Sequence, residues 1–401
     1  MDTIYTMIRG FRTFVRRVSI TLATIISFLT VGLALFVYLG GEWSSITAGL
    51  DNGRKYVPDW QGSDKERLAS ARSWLAELIA PSSPVVIEAP GEADAIQVFF
   101  SPVAEHRKDG PDDHLIALIR SANRSVHAAF YDLRYAPVAR AFIDRHRAGV
   151  EVRIVSDTHY KNRDEMRDCI KAGIPVEFDE RPSFMHNKFC VVDDEWVWTG
   201  STNISRNGFF HNNNNALLLH SPHAAENFAL EFAEMFSSRS FGGESPRNTS
   251  RRAFELGPNT VEIYFSPEDG VERQIRAELG EADESIVFMA FSFTSKPIAE
   301  TMADRMKWGV KVRGLMETRG SDTRYSRDDY LKGRGAEIYL DDNPKSMHHK
   351  VIVVDDDTVI TGSYNFSKSA EKSNDENVLI VHSPGIAKKF VDEFERLTAK
   401  L

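Results

Sequence analysis

Apolar residues fall along this chain in distinct patterns. From Val18 to Gly41, "VSITLATIISFLTVGLALFVYLGG" runs 24 residues without a charge, long enough for a helix to span a bilayer. "SDKERLASARSWLAELIA" (Ser63 to Ala80) has a capping residue and helical apolar spacing. "PSSPVVIEAPGEADA" then reads as a linker. From Ile96 onward, short β-rich runs alternate with amphipathic helical stretches. "SVHAAFYDL" precedes "APVARAFIDRHRAG", and "ESIVFMAFSF" precedes "KPIAETMADRMKWG". "FCVV" and "VIVV" are near-continuous apolar runs, typical of strands in a buried sheet. The alternation predicts an α/β fold with mixed sheets flanked by helices.

The pattern repeats. "IQVFFSP" returns as "VEIYFSP", and "RAGVEVRIV" as "KWGVKVRGL". "LLLHSPHAAENFALEFAEMF" returns as "VLIVHSPGIAKKFVDEFERL". An internal duplication sets the organisation. Residues 1–17 form a basic segment, 18–41 an anchor, 42–94 a juxtamembrane helix and linker, 95–236 the first half, 237–260 a linker rich in Ser, Gly, Pro and Arg, and 261–401 the second half. Two similar halves are expected to pack about a pseudo-two-fold axis, with counterpart residues meeting across it.

Charge adds a direction to the first segment. Arg9, Arg12, Arg16 and Arg17 precede the apolar run, and Glu42 and Asp51 come before the next basic residues. The arginine asymmetry predicts a cytoplasmic N-terminus and a periplasmic or extracellular catalytic region. A cleaved signal peptide is the alternative, but the run is long and no small-x-small site clearly closes it. The net charge of −9 argues against a surface coated for nucleic acid and is silent about a local groove. The two cysteines, Cys169 and Cys190, form neither metal spacing nor a disulfide framework. Cys190 lies in an apolar run and is expected to be a buried free thiol.

The chemistry sits in two matched stretches, "FMHNKFCVVDDEWVWTGSTN" (Phe184 to Asn203) and "SMHHKVIVVDDDTVITGSYN" (Ser346 to Asn365). His186, Lys188, Asp193, Gly200, Ser201 and Asn203 match His348, Lys350, Asp355, Gly362, Ser363 and Asn365, each pair 162 residues apart. His-x-Lys on a strand puts both side chains on one face. An imidazole there can attack or carry a proton, and an ammonium can hold an anion. A lone histidine or lysine would more often be structural. Two copies in register with Gly-Ser-x-Asn point to catalysis at His186, Lys188, Asn203, His348, Lys350 and Asn365. Asp193 and Asp355 open turns, where Asp is favoured anyway, and a structural role ranks above a chemical one. The doubled set suits a phosphodiester: lysines and asparagines hold the non-bridging oxygens, one histidine attacks phosphorus, and the other protonates the leaving oxygen and then activates water. No metal or other cofactor is expected, because the lysines supply the charge a cation would supply and no clustered carboxylates or His/Cys ligands are visible.

The doubled motif resembles the phospholipase D superfamily, over both halves and about three quarters of the chain. The second half looks especially like the small bacterial endonucleases and mitochondrial-type members. The resemblance implies a phosphohistidine intermediate and metal independence, and carries a histidine-orienting glutamate onto Glu376. The first half has Asn214 at that place, within "NNNN" aligned with "NDEN". Each stands 28 residues after its half's histidine, so Glu376 is expected beside His348 and Asn214 beside His186. That pairing would make His348 the acid and His186 the nucleophile. Ser201 and Ser363 are supporting residues.

A nuclease leads the functional reading. A phospholipase or cardiolipin-synthase-like transferase is the rival, favoured by the anchor and the acidic charge. An inactive scaffold is the third, opposed by the intact motifs. The implied partners are a phosphodiester substrate, nucleic acid ahead of phospholipid, and a membrane through the anchor. One chain carries both halves of the site, so no oligomer is required.

Overall fold

The computed structural model describes residues 87, 91, 95–104, 109–321 and 323–401. The first half runs β1 (Ile96–Ser101), α1 (Pro111–Ser121), β2 (Ser125–Phe130), β3 (Leu133–Arg134), α2 (Ala136–Arg147), β4 (Glu151–Ser156), α3 (Asp164–Lys171), β5 (Val176–Phe178), β6 (Lys188–Val192), β7 (Trp196–Gly200), β8 (Ile204–Ser205), α4 (Arg206–Phe210), β9 (Asn214–His220) and α5 (Pro222–Ser237). The second runs β10 (Ala253–Leu256), β11 (Asn259–Ser266), α6 (Val271–Gly280), β12 (Ser285–Ala290), α7 (Lys296–Met306), β13 (Lys311–Met316), α8 (Thr318–Ser321), α9 (Asp328–Lys332), β14 (Glu337–Leu340), β15 (Lys350–Val354), β16 (Thr358–Gly362), α10 (Lys368–Lys372), β17 (Glu376–His382) and α11 (Pro384–Thr398).

The two sheets share one strand order. The first is β1-β9-β7-β6-β2-β4-β5, and the second is β11-β17-β16-β15-β12-β13-β14 with β10 added outside β11. Both are mixed: β4 pairs parallel with β2, and β6 antiparallel. The segment between the halves is therefore not all connector, since Ala253 to Leu256 pair with β11.

Alternation explains the unbroken apolar runs. Phe189 and Val191 pack into a layer shared with Val351 and Val353 of the other half, together with Phe228 and Phe390 from α5 and α11. Cys190 and Val192 face the opposite way, into the layer under the first half's own helices, and Ile352 and Val354 do the same in the second half. Each central strand is buried on both faces, so neither face needs polar residues. Cys169 and Cys190 are both buried free thiols.

The hairpin turns after β6 and β15 carry the aspartates. Asp193 and Asp194 have φ of 54° and 57°, and Asp355 and Asp356 51° and 53°. Glu195 N–H closes the first turn on Val192 O at 3.1 Å, and Asp357 N–H closes the second on Val354 O at 3.0 Å. Two left-handed central residues give the tight turn that matches strand twist. Asp193 accepts backbone N–H bonds from Asn123, Arg124 and Ser125 at 2.7–2.8 Å. Asp355 accepts the same three from Asp283, Glu284 and Ser285. These carboxylates pin the start of β2 and β12 to the motif hairpins.

The expected single-pass topology does not stand. Among the described residues no helix is long and apolar enough to cross a membrane. Residues 18–41, on which the anchor rested, and 63–80 lie outside the described residues, so the periplasmic or extracellular placement has no structural support.

Partial burial opposes ionisation of Asp355, but the N–H groups of Asp283, Ser285 and Glu284 outweigh it and hold the carboxyl below its ordinary range. That stabilisation is present above the unfolded value and is lost as pH falls through the folded one. Asp355→Ala should cost about 1–2 kcal/mol at pH 7, the scale of losing such bonds at a half-exposed site. The gap to wild type in denaturant titrations should close below about pH 4, while turnover per folded molecule is kept. A variant of full stability and no turnover would make the aspartate chemical.

Candidate active site

His186 and Lys188 stand at the entry of β6, and His348 and Lys350 at the entry of β15. Between the halves, two pairs of backbone bonds bring these entries together. His186 N–H donates to Asp375 O at 2.9 Å, and Asp375 N–H to Phe184 O at 3.0 Å. His348 N–H donates to Asn213 O at 2.8 Å, and Asn213 N–H to Ser346 O at 2.9 Å. The pairs are images of each other under the 162-residue offset.

The bridges decide each histidine's partner, and the expected pairing is corrected. Glu376 Oε2 lies 2.7 Å from His186 Nδ1, and Asn214 Oδ1 lies 2.7 Å from His348 Nδ1. The reason is local. Asp375 is bonded across to the first motif, so the next residue emerges beside His186 and not beside the histidine of its own half. Ser363 Oγ donates to Glu376 Oε2 at 2.8 Å, and Ser201 Oγ to Asn214 Oδ1 at 3.1 Å. Asn214 Nδ2 donates to Gly208 O at 3.0 Å, which turns the amide oxygen to the ring.

The lysines complete the set. Lys188 Nζ donates to His186 O at 2.6 Å. Lys350 Nζ donates to His348 O at 2.8 Å and lies 3.3 Å from His348 Nε2. Tyr131 and Phe291 lie beside the pairs, with ring centroids 4.9 and 5.0 Å from the two ammonium nitrogens. Asn203 and Asn365 each leave a side-chain oxygen buried without a hydrogen-bond partner. Asp193 and Asp355 do not join the cluster.

Burial dominates the electrostatics. It pushes His186 down to about 4, against the opposing charge of Glu376 and with the help of Lys188. It also pushes His348 well below its ordinary value, with Lys350, Lys188 and His186 adding to the effect. Among the described residues, the hydrogen-bond acceptor at His348 Nδ1 is the neutral amide of Asn214 and not a carboxylate. Burial takes Lys188 to about 7, opposed by Glu376, Asp132 and Asp157. Lys350 falls well below its ordinary value through burial and the neighbouring Lys188. Glu376 resists burial because His186 and Lys188 hold it ionised. Two lysines and two histidines gathered round one carboxylate in direct contact, Glu376, make a site suited to an anionic ligand.

Several supporting residues carry no signal in a short motif. Asp157 Oδ2 and Glu317 Oε2 accept the N–H groups of Met185 and Met347, at 3.2 and 2.8 Å. Arg181 pairs with Asp375, and Asn343 with Asn213, at equivalent places in the two halves. The middle residues of His-x-Lys point the other way. Asn187 Nδ2 donates to Glu231 Oε1 at 3.2 Å and Asn377 Nδ2 to Asn187 Oδ1 at 2.8 Å. His349 Nδ1 lies 3.1 Å from Asn215 Oδ1, with Glu393 3.6 Å from its other nitrogen. Thr199 and Thr361 bond Asn377 and Asn215 across the halves. The 162-residue offset would have flagged Asn215 with Asn377, and Thr199 with Thr361.

The expectation that no acidic ligands cluster is also corrected. Glu231, Glu234 and Glu268 lie close enough to hold an ion, as do Glu262, Glu278 and His382. Neither group contains a motif histidine or lysine. Burial first, then mutual repulsion, pushes Glu268 up to about 8, and burial pushes Glu234 up to about 7. Protons can therefore neutralise this first group.

A fold of two sister sheets, joined over a doubled His-Lys pocket, defines a phosphodiesterase of the phospholipase D superfamily. The family model described as "Cardiolipin synthase, PLD-like domain" matches residues 115–236 and 275–398, and the chain belongs to that family. It is 30% identical over 168 residues to a "Phospholipase D" of Rickettsia prowazekii, covering 42% of this chain and 82% of that one. It is 32% identical over 130 residues to the human "Mitochondrial cardiolipin hydrolase", covering 32% and 51%. The fold matches phosphatidylserine synthase of Haemophilus influenzae with a TM-score of 0.57 at 12% identity, over 75% of this chain and 86% of that one.

Sulfate carries charge without titrating near neutrality, so it reads the lysines. With burial holding Lys188 at about 7, sulfate should bind better at pH 6 and weaken above pH 7. The limit is about tenfold per pH unit for one coupled proton. Calorimetric titration checks this. Affinity constant from pH 6 to 9 would show that the lysines do not read the anion.

Proposed function

We propose that the chain is a phosphodiesterase that works through a phosphohistidine on His186, without a metal, and that its substrate is nucleic acid. The observation that carries the mechanism is the unequal backing of two otherwise equivalent histidines. Glu376 holds the proton on His186 Nδ1 and leaves Nε2 as the nucleophile. When Nε2 bonds to phosphorus, the ring becomes a cation and the carboxylate stabilises it. His186 is thus the nucleophile for the opposite reason to the one its sequence position gave.

His348 is the general acid and base. Its Nε2 lies 3.3 Å from Lys350 Nζ, so one proton can be shared between them. The bound anion restores the charge that burial suppresses. As the P–O bond breaks, protonated His348 gives its proton to the leaving oxygen. Neutral His348 then takes a proton from water, whose oxygen attacks phosphorus and frees His186. Lys188, Lys350, Asn203 and Asn365 hold the non-bridging oxygens.

The rim favours nucleic acid. Arg134 and Arg163 lie over Tyr160, and exposed Phe184 lies beside His186. Cations and flat rings suit a nucleotide strand better than acyl chains. The second reading, phospholipid turnover, draws on the names of the relatives.

Lys188→Ala and Lys350→Ala should each lower the rate roughly a hundredfold or more, the scale of losing one preorganised donor. Single-stranded DNA, RNA and phospholipid vesicles, each incubated in EDTA, test the substrate and the metal together. Nucleic-acid cleavage is expected. Lipid turnover alone reverses the substrate, and loss of activity restored by Mg²⁺ or Zn²⁺ removes the metal-free mechanism.

Quenching turnover of a labelled substrate with a good leaving group locates the adduct. His348→Ala should still label His186, and His186→Ala should label nothing. Glu376→Gln should weaken labelling far more than Asn214→Ala. An adduct on His348 in the wild type reverses the roles.

A further inference from the structure

The site's pseudo-symmetry ends at its rim. Tyr131 lies 4.7 Å from the His186 ring, and Phe291 lies 4.7 Å from the His348 ring. Both are fixed by equal bonds, Tyr131 N–H to Asn187 O and Phe291 N–H to His349 O, each 2.9 Å. In the first half the aromatic surface continues outward. Phe184 meets Tyr131 edge-on at 5.4 Å, His159 meets Phe184 at 5.6 Å, and Tyr160 meets Tyr131 at 4.9 Å. In the second half the matching residues are Ser346, Arg319 and Gly320. Asp157 and Glu317 fix that correspondence, since each bonds the residue before its motif histidine. Arg319 there donates to Ser346 Oγ at 2.9 Å.

Phe184 is 37% exposed, although its backbone is held on both sides. Its N–H donates to Asn374 Oδ1 at 3.2 Å, and its carbonyl accepts from Asp375 at 3.0 Å. A phenyl ring held rigidly, half in water, two residues before a buried histidine offers a face to a ligand. Arg163 and Arg134 stand 5.5 and 5.6 Å from the Tyr160 ring.

We propose that Phe184, His159, Tyr131 and Tyr160 form a base-stacking subsite for one of the two nucleotides flanking the scissile phosphate, with Arg163 facing the next phosphate. The proposal rests on the nucleic-acid reading above and deepens it: the substrate is single-stranded, because only an unpaired base offers a free face to an aromatic ring. A quaternary ammonium headgroup also seeks aromatic faces; Arg134 is taken up by Asp132, but the guanidinium of Arg163 at Tyr160 disfavours a cation there and suits a nucleotide backbone. Beyond Phe291, the positions of the second half that match these rings carry Ser346, Arg319 and Gly320, so the extended aromatic surface, and the stacked base with it, lies on one side of the cut.

The test uses the full chain and single-stranded oligonucleotides, intact or with one abasic residue on either side of the cleaved phosphate. Phe184→Ala should raise KM for the intact strand roughly 5- to 100-fold, the range for losing one base–aromatic stack, with kcat little changed. Phe184→Tyr should restore it. In the wild type, an abasic residue on one side should reproduce the KM rise, and on the other side should not. Combined with Phe184→Ala, the sensitive abasic position should add nothing further. Cleavage with KM indifferent to Phe184, or equal penalties on both sides, overturns the subsite and leaves the nuclease reading standing. Hydrolysis of phosphatidylcholine vesicles with no oligonucleotide cleaved overturns both.

Discussion

Each motif histidine takes its hydrogen-bond acceptor from the other half of the chain, and this exchange is the constraint on which the site depends. It starts in the backbone. Two short parallel bridges, at Met185 with Asp375 and at Asn213 with Met347, tie the lead-in of each motif strand to the lead-in of the opposite half's β9 or β17. One residue further on, the side chains can only reach across. The pocket therefore exists only as a property of the joined halves. The apolar layer beneath it holds them together by burying Phe189, Val191, Val351 and Val353 with Phe228 and Phe390.

The same exchange makes a doubled site unequal. Glu376 is one methylene longer than Asn214, but both occupy equivalent places and present an oxygen 2.7 Å from a histidine Nδ1. They differ by one charge. In a buried pocket that difference is large, because the surroundings screen it less than water would. The carboxylate supports a cationic ring on His186, and the amide merely orients His348. The lysines lose part of their affinity for protons through burial, and an anion brought beside them would raise it again. In the proposed mechanism, substrate binding and protonation of the site are therefore coupled.

Much of this is legible in the sequence, and the parts that are not have physical reasons. The α/β class follows from runs such as "FCVV" and "VIVV", because burial on both faces removes polar residues from the strand. The turn aspartates were legible because Asp suits a left-handed turn. The histidine pairing was not. A spacing of 28 residues is equal in both halves and is silent on whether the acceptor serves its own half or the other. Asn187 and His349 went unread because a middle position that differs between copies looks like surface. Instead it faces Glu231 and Glu393 in the joint. Strand β10 was absorbed into a linker because "AFEL" is short, with exposed and buried residues intermixed.

The crossed bridges have a mechanical consequence. His186 and Glu376 sit on opposite sides of one seam, as do His348 and Asn214. A uniform widening of the seam would lengthen both hydrogen bonds at once. Gap width would then set the geometry of both histidines together. The threonine and asparagine pairs beneath the pocket, Thr199 with Asn377 and Thr361 with Asn215, act as its spacers. A substitution there would shift both histidine–acceptor pairs together, like a change in the thickness of a shim.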